Sequence, residues 1–573
     1  MAGGLLNLVS EGQNNVILNG NPSKTFFTVK YAKYTNFGLQ KFRLDYDGLR
    51  ELRLSEDSTY KFKVKRYADL LMDTYLVINL PNIWSPIYQP NDNNGCTWGA
   101  YDFKWIENLG TNLIKEISIT CGSTTIATYH GDYLEAMIQR DFSSDKKDLF
   151  NTMSGNIPEL NDPANAFNRN NSYPSAFYTD NPLGAQPSIG ARTLYIPINT
   201  WFTLDNRCAF PLVCLQYNEL EISVTLRPIQ QIFQVRDVFD YENNYPYVQP
   251  DFNEERYQFY RFLQTPPSVD LSRENYENQN TSWNADIHLI STYCFLSEEE
   301  SQLFAAKEQV YLIKELHRYE FNNVSGTKRL RLQSSSGMVS SWMMYLQRND
   351  VNLRNEWSNY TNWPYNSPPV NVQRAEKKLT DYTSECEGVV SLFPTFDPNQ
   401  IPLNTQTPTA VGPGLNPNGM NTGYFVTGDL NVENQKEILQ TMGILLNGEY
   451  RENNQPSGVF NYIEKYVRTS GNAKDGLYCY NFCLHTNPFE YQPSGAINMS
   501  KFKTIELEIT TMLPLVDDAN SDFQILCDAE GNPIGVNKQN WRLYEYNYNM
   551  VVMEERYNIL SFIGGNCGLM YAR

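Results

Sequence analysis

A chain of 573 residues has room for about two to four domains; with 41% hydrophobic and 13% aromatic residues it can fill sizeable cores, which excludes a disordered chain or a small disulfide scaffold. Its formal charge of −18 argues against a surface built for nucleic-acid phosphates, which takes clustered Lys and Arg. It reads as a solvated exterior that keeps a concentrated protein soluble. Ten scattered cysteines are too sparse for a disulfide framework and imply reduced thiols made in a cytosol.

The opening MAGGLLNLVSEGQNN lacks the basic region and apolar run of a secretory signal, and 18 consecutive apolar residues occur nowhere. Residues 1–24, small, polar and Gly/Asn-rich, predict an arm without a core of its own. TFFTVKYAKYTNFGLQKFRLDYDG from Thr25 predicts two β-rich segments around the turn-prone Thr35 and Asn36. Tyr60, Phe62 and Val64 alternate with Lys61, Lys63 and Lys65, the pattern of a strand with one Lys-lined face, and DTYLVINL from Asp73 follows as another strand. LIKEISIT and TTIATYHG, joined at Cys121–Ser123, add two more. GDYLEAMIQR from Gly131 looks helical and opens an insertion reaching about residue 190, Asn/Pro-rich from Asn156. Strands resume at LYIPI, at Leu220–Leu226 and at ADIHLISTYCFL from Ala285. Ser297 before Glu298, Glu299 and Glu300 predicts a capping box, a short helix through Ala306 and a return to strand at Val310.

The second half repeats the first. Ile505, Leu507 and Ile509 alternate with polar residues as Leu220, Ile222, Val224 and Leu226 do. LRLQ and SWMMYLQ echo the Tyr60 and Asp73 strands. Lys436, Glu437, Ile438 and Gly443 match the spacing of Lys115, Glu116, Ile117 and Gly122, and FNYIEKYVR from Phe460 matches the Gly131 helix. NMVVMEERYNIL from Asn549 resembles YCFLSEEESQLF from Tyr293, both read as apolar strands running into an acidic turn. Four paired segments in one order predict two copies of one domain. The longest insertion, about 350–430, includes a Pro/Asn/Gly/Thr-rich run from Asn399 to Gly423; loops of that length seldom lack a purpose. By class this is an all-β sandwich or jelly roll.

Particular residues go further. SEGQNNVILNGNPSKTFFTVKYAKYTNF, LSEEESQLFAAKEQVYLI, YQPSGAINMSKF and YNILSFIGGNCGLMYAR, in this order, resemble the major capsid proteins of nucleocytoplasmic large DNA viruses, over about Ser10 to Arg573. The resemblance implies two tandem eight-stranded antiparallel jelly rolls with long loop insertions and a few short helices: an arm at 1–24, a first jelly roll at 25–308 and a second at 309–573. It implies homotrimers forming pseudo-hexagonal capsomers that tile an icosahedral virion shell, with outward insertions and an arm at the inner face toward an internal membrane. Partners would be further copies, minor capsid and penton proteins, without direct nucleic-acid binding, in a late protein made in the host cytoplasm. The alternative reading is a tandem jelly-roll carbohydrate-binding or glycan-degrading protein.

No catalytic, cofactor or metal site is expected. Glu298–Glu300 are explained by a helix cap and dipole. His130, His288, His317 and His485 are scattered, and no nucleophile elbow, phosphate loop or GxGxxG occurs. Cys479 and Cys483, near His485 but without a second Cys pair, make a poor zinc set. Asp517, Asp518, Asp522, Asp528 and Glu530 could bind calcium if gathered, but DAEGNP reads more simply as a hairpin turn. Sequons stand at Asn170, Asn280, Asn323, Asn359 and Asn498. Asn280, Asn323 and Asn359 are the candidate glycosylation sites, through a virus-encoded route because no secretory signal is read.

Overall fold

Sixteen strands carry the architecture, eight from each half of the chain. In the first half they are β1 (Phe37–Asp45), β2 (Ser58–Lys63), β3 (Leu70–Leu80), β4 (Ile114–Cys121), β5 (Thr124–His130), β6 (Arg192–Pro197), β7 (Leu220–Leu226) and β8 (His288–Leu296). In the second they are β9 (Gln309–Val324), β10 (Thr327–Arg331), β11 (Met338–Arg348), β12 (Leu439–Leu446), β13 (Glu449–Pro456), β14 (Leu477–Asn481), β15 (Ile505–Thr511) and β16 (Tyr548–Ile563). This computed structural model describes all residues except 1–11, 47, 49–50, 89–98, 101, 170–172, 177–183, 238–245, 268–272, 366–434, 491, 518–523, 530, 538–543 and 572–573. The Asn399–Gly423 run, Asp518, Asp522, Glu530 and the Asn170 sequon lie outside the described residues.

The first half forms two antiparallel sheets, in the orders β1-β8-β3-β6 and β2-β7-β4-β5. The second forms β9-β16-β11-β14 and β10-β15-β12-β13. Adding eight to every label of the first pair yields the second. Each half is therefore an eight-stranded jelly roll. Even the interruption of the edge strand recurs: Phe210–Pro211 joins β6 on the outer edge of β3, as Ile497–Asn498 joins β14 on that of β11.

Alternation explains why these segments are strands. Leu220, Ile222, Val224 and Leu226 are buried while the residues between are half-exposed, and Ile505, Leu507 and Ile509 are buried in β15. A buried aliphatic side chain contributes roughly 1.5–3 kcal/mol, so a one-residue slip would be costly. In β2 Tyr60 and Phe62 face the core while Lys61 and Lys63 face solvent, as their alternation predicts. The DAEGNP turn closes the hairpin Gln524–Cys527/Pro533–Asn537, where Asp528 Oδ1 accepts from the Asn532 amide at 2.7 Å.

Four expectations are corrected. TFFTVKYAK forms no strand: pairing begins at Phe37, and Phe27 is 97% exposed because no sheet edge is offered to this segment. NMVVMEERYNIL contains no acidic turn. It lies within β16, with Glu554 and Glu555 buried mid-strand. The Gly122–Gly443 match is out of register: Gly443 is inside β12, and the turn residue matching Gly122 (φ 62°) is Asn447 (φ 53°), Asn being another residue that tolerates left-handed backbone. Ser297 does precede a helix, Glu298–Ala306, but its side chain makes no capping hydrogen bond.

Candidate functional site

The two jelly rolls are joined by a helix. α1 (Gly131–Asp141) follows β5 and is seated where Gly131 touches the Thr111 and Ile114 carbonyls; an added Cβ would lie 2.1 and 2.2 Å from those oxygens. One side of α1 serves its own unit. The other lies against the outer face of sheet β9-β16-β11-β14, so that sheet is covered on both faces. Trp342, Met344, Leu346 and Val552 fill the second core, while the intervening Met343, Tyr345, Val551 and Met553 join the core of the first jelly roll. Burial on both faces is why SWMMYL and MVVM read as continuous apolar runs.

Polar groups are fixed at the centre of this seam. Arg140 and Asp141 have no solvent exposure and are paired at 2.7 Å. Arg140 Nη2 also donates to Glu555 Oε1 at 3.0 Å, and its Nη1 donates to Ser341 Oγ at 3.1 Å. Glu555 further accepts from Ser341 Oγ at 2.6 Å and Tyr133 Oη at 2.9 Å, with the Lys314 ammonium 3.7 Å away. Thr486 Oγ1 donates to Asp141. Two cations thus face two carboxylates. Burial alone would raise the Glu555 carboxyl, but Arg140 and Lys314 hold it down to about 2. Either side of this cluster, Asp132 accepts from Tyr345 Oη at 2.7 Å and Arg318 Nε at 3.1 Å, and Glu135 accepts from Lys474 Nζ at 2.8 Å.

Glu555 sits at a β-bulge, and the bulge is duplicated. In the second unit pairing steps from Trp342↔Glu554 and Ser341↔Glu555 to Val339↔Arg556; in the first it steps from Thr74↔Ser291 to Leu71↔Tyr293. The extra residue falls on the same strand at the same place, which aligns Thr292 with Glu555 and Asp73 with Ser341. Both positions hold an acid and a hydroxyl in contact, exchanged between strands: Thr292 Oγ1 donates to Asp73 Oδ2 at 2.9 Å. On the inward side Trp342 Nε1 donates to Glu554 Oε2 at 2.7 Å and Ser335 Oγ does so at 2.8 Å.

No reacting geometry was expected elsewhere, and the singled-out residues are dispersed. His130, His288 and His317 lie on β5, β8 and β9, while His485 pairs with Glu490 at 3.2 Å on a loop. Cys479 is buried at the seam, where burial pushes its thiol up to about 11. Among the described residues no group of three or more His, Cys, Asp or Glu is placed to hold a metal ion. Asn280 and Asn323 are exposed. Asn359 is buried: its Nδ2 donates to the Trp363 carbonyl at 2.8 Å and its Oδ1 accepts from Thr361 Oγ1 at 2.6 Å. The seam residues Arg140, Asp141, Ser341, Thr486 and Glu555, and Glu554 on the inward side of β16, were not anticipated from sequence. Two acids inside an apolar strand pattern were the available signal.

The two jelly rolls are packed together, with the buried charges at their seam engaged in holding one to the other. Comparison with known proteins gives the family. Residues 25–263 match the family described as major capsid protein N-terminus, and residues 300–568 match large eukaryotic DNA virus major capsid protein. The major capsid protein of Phaeocystis pouchetii virus is 23% identical, and that of Paramecium bursaria Chlorella virus 1 is 23% identical, each over 100% of both chains. Among solved structures, PBCV-1 VP54 superposes with a TM-score of 0.56 at 17% identity, over 96% of this chain and 100% of that one. The Faustovirus major capsid protein superposes with a TM-score of 0.54 at 12% identity, over 94% and 92%. The chain belongs to the major capsid proteins of large eukaryotic DNA viruses. It is a structural protein, not an enzyme, and its relatives give the carbohydrate-binding alternative no support.

Proposed function

We propose that three copies of this chain associate into a capsomer with a pseudo-hexagonal outline, and that such capsomers tile the icosahedral shell of a virion. The observation that carries this reading is the strand-for-strand repetition of the two halves: a trimer of doubled domains presents six similar units and can occupy a position with six neighbours. The seam supports it, since a buried, charged junction makes the two units one block. We take 1–24 as an arm, 25–308 as the first jelly roll and 309–573 as the second. In support of the boundary, the helix Glu298–Ala306 ends just before it and β9 starts at Gln309.

In this proposal the insertions face outward and the arm faces an internal membrane. Minor capsid and penton proteins are the other neighbours, nucleic acid is not contacted directly, and the protein is made late in the host cytoplasm. Asn280 and Asn323 are the sequons whose exposure suits glycosylation; modification of Asn359 would require its buried amide to leave the Trp363 carbonyl. Light scattering of the purified protein tests the assembly unit. A stable mass about three times 66.1 kDa is expected, and a monomer unchanged at high concentration would overturn the trimer.

A further inference from the structure

The duplicated fold leaves one helix, and part of one sheet face, without the cover that their counterparts have. In the second unit the counterpart of α1 is the helical segment formed by the π-turn Val459–Ile463 and the helix Glu464–Arg468. Phe460 and Lys465 are turned into the second unit, but Tyr462, Ile463, Tyr466 and Val467 point out, with Tyr466 91% exposed. Spacings of three and four residues (Ile463 to Tyr466, Tyr462 to Tyr466, Ile463 to Val467) join these four into one face. The counterpart of the sheet face covered by α1 is the outer face of β1-β8-β3-β6. The bulge alignment places the Tyr75–Ile290 ladder pair where Met343–Met553 stands. Met343 and Met553 are sealed under α1; on the matching face Val77, Thr292 and Cys294 are buried, Cys294 beside Phe304 of the helix Glu298–Ala306, but Tyr75 and Ile290 are only half-buried and Leu39 is 53% exposed.

From this we infer that the Val459–Arg468 helix of one copy docks on the outer face of β1-β8-β3-β6 of a second copy, repeating between chains the contact that α1 makes within one. The inference rests on the trimeric reading above and names its interface. Within one chain both surfaces are exposed, so they do not meet each other. A second copy offers each the surface that it lacks. Charge agrees with the match. Arg468 closes its helix as Arg140 nearly closes α1, and the acid at the first-unit bulge, Asp73, stands beside the position aligned with Glu555. Such a contact joins two different surfaces, so it propagates from copy to copy and must close into a ring or continue as a filament; three doubled chains close it.

The test compares full-length variants by light scattering, with circular dichroism and melting as checks of folding. Tyr466→Asp and Leu39→Asp, on opposite sides of the contact, should each move the mass from three copies to one while the monomer keeps its β spectrum. Ile534→Asp, on an exposed residue of the hairpin Gln524–Cys527/Pro533–Asn537, which belongs to neither surface, should leave the trimer intact. Arg468→Asp should weaken association at least tenfold, and adding Asp73→Arg should restore it. A wild-type trimer that persists in both Tyr466→Asp and Leu39→Asp would overturn this interface and leave the trimer standing. A wild-type monomer would overturn the trimer and the interface together.

Discussion

Arg140 and Glu555 meet at 3.0 Å although 415 residues separate them, and neither has appreciable solvent exposure. The first belongs to the helix that closes one jelly roll and the second to the central strand of the other. Charges so buried are favourable only when the geometry is complete, and here Asp141, Ser341, Tyr133 and Lys314 complete it.

Removing one member should therefore cost more than removing several. Arg140→Ala would strand two buried carboxylates and is expected to cost about 3–5 kcal/mol, read from denaturant unfolding. The pair Arg140→Met with Glu555→Gln should cost less than the sum of the single changes. Strict additivity would mean that the two groups do not act on one another.

The seam should also respond to acid. Glu555 is held at about 2, below its ordinary 4.5, so the stability it contributes is fully present above pH 4.5 and is lost as pH falls toward 2. A full shift of this size corresponds to roughly 3 kcal/mol. Glu555→Gln should be less stable than wild type at neutral pH and show a flatter loss between pH 4.5 and 2. A parallel pH profile in the two proteins would contradict the assignment.

Gly131→Ala should damage the seat of the joining helix. The new Cβ would meet backbone oxygens of Thr111 and Ile114, which cannot swing aside as a side chain could. Overpacking of this kind costs about 1–3 kcal/mol or more, visible as a lowered melting temperature. An unchanged melt would show that the helix start can move.

Trp342→Phe keeps the ring in the second core but removes the donor to Glu554 at 2.7 Å. It should cost about 1–3 kcal/mol, the usual penalty for leaving a buried polar group short of a partner. Tyr319→Phe, whose hydroxyl lies 3.4 Å from the same carboxylate, should cost less. Thermal melts of both variants decide the order.

The repeated strands were legible because strict alternation has one physical reading: Leu220–Leu226 and Ile505–Thr511 each bury one face. The α1 segment was legible for the same kind of reason. Three features were not. MEER in β16 looks like a turn because acids seldom lie inside a strand; distant Arg140 and Lys314 make Glu555 tolerable, while Trp342, Ser335 and Arg556 do so for Glu554. The aromatic residues after Thr25 look like a strand, but a strand needs a partner edge, and none reaches them. Gly443 matches Gly122 in spacing, yet the turn it was aligned with is made by Asn447 and Gly448, a distinction that depends on pairing across the sheet. The seam was hidden for a related cause: its members come from five separate segments, and no local pattern joins them.

The central claim is that each chain contributes two equivalent jelly rolls to a closed capsomer, and a cryo-electron microscopy reconstruction of the purified soluble particle tests it most directly. The account predicts three chains arranged as six jelly rolls in a ring, with the α1 seam inside each chain alternating with a similar helix-on-sheet contact between chains. A two-lobed monomer, or an assembly whose six lobes are not two per chain, would contradict it.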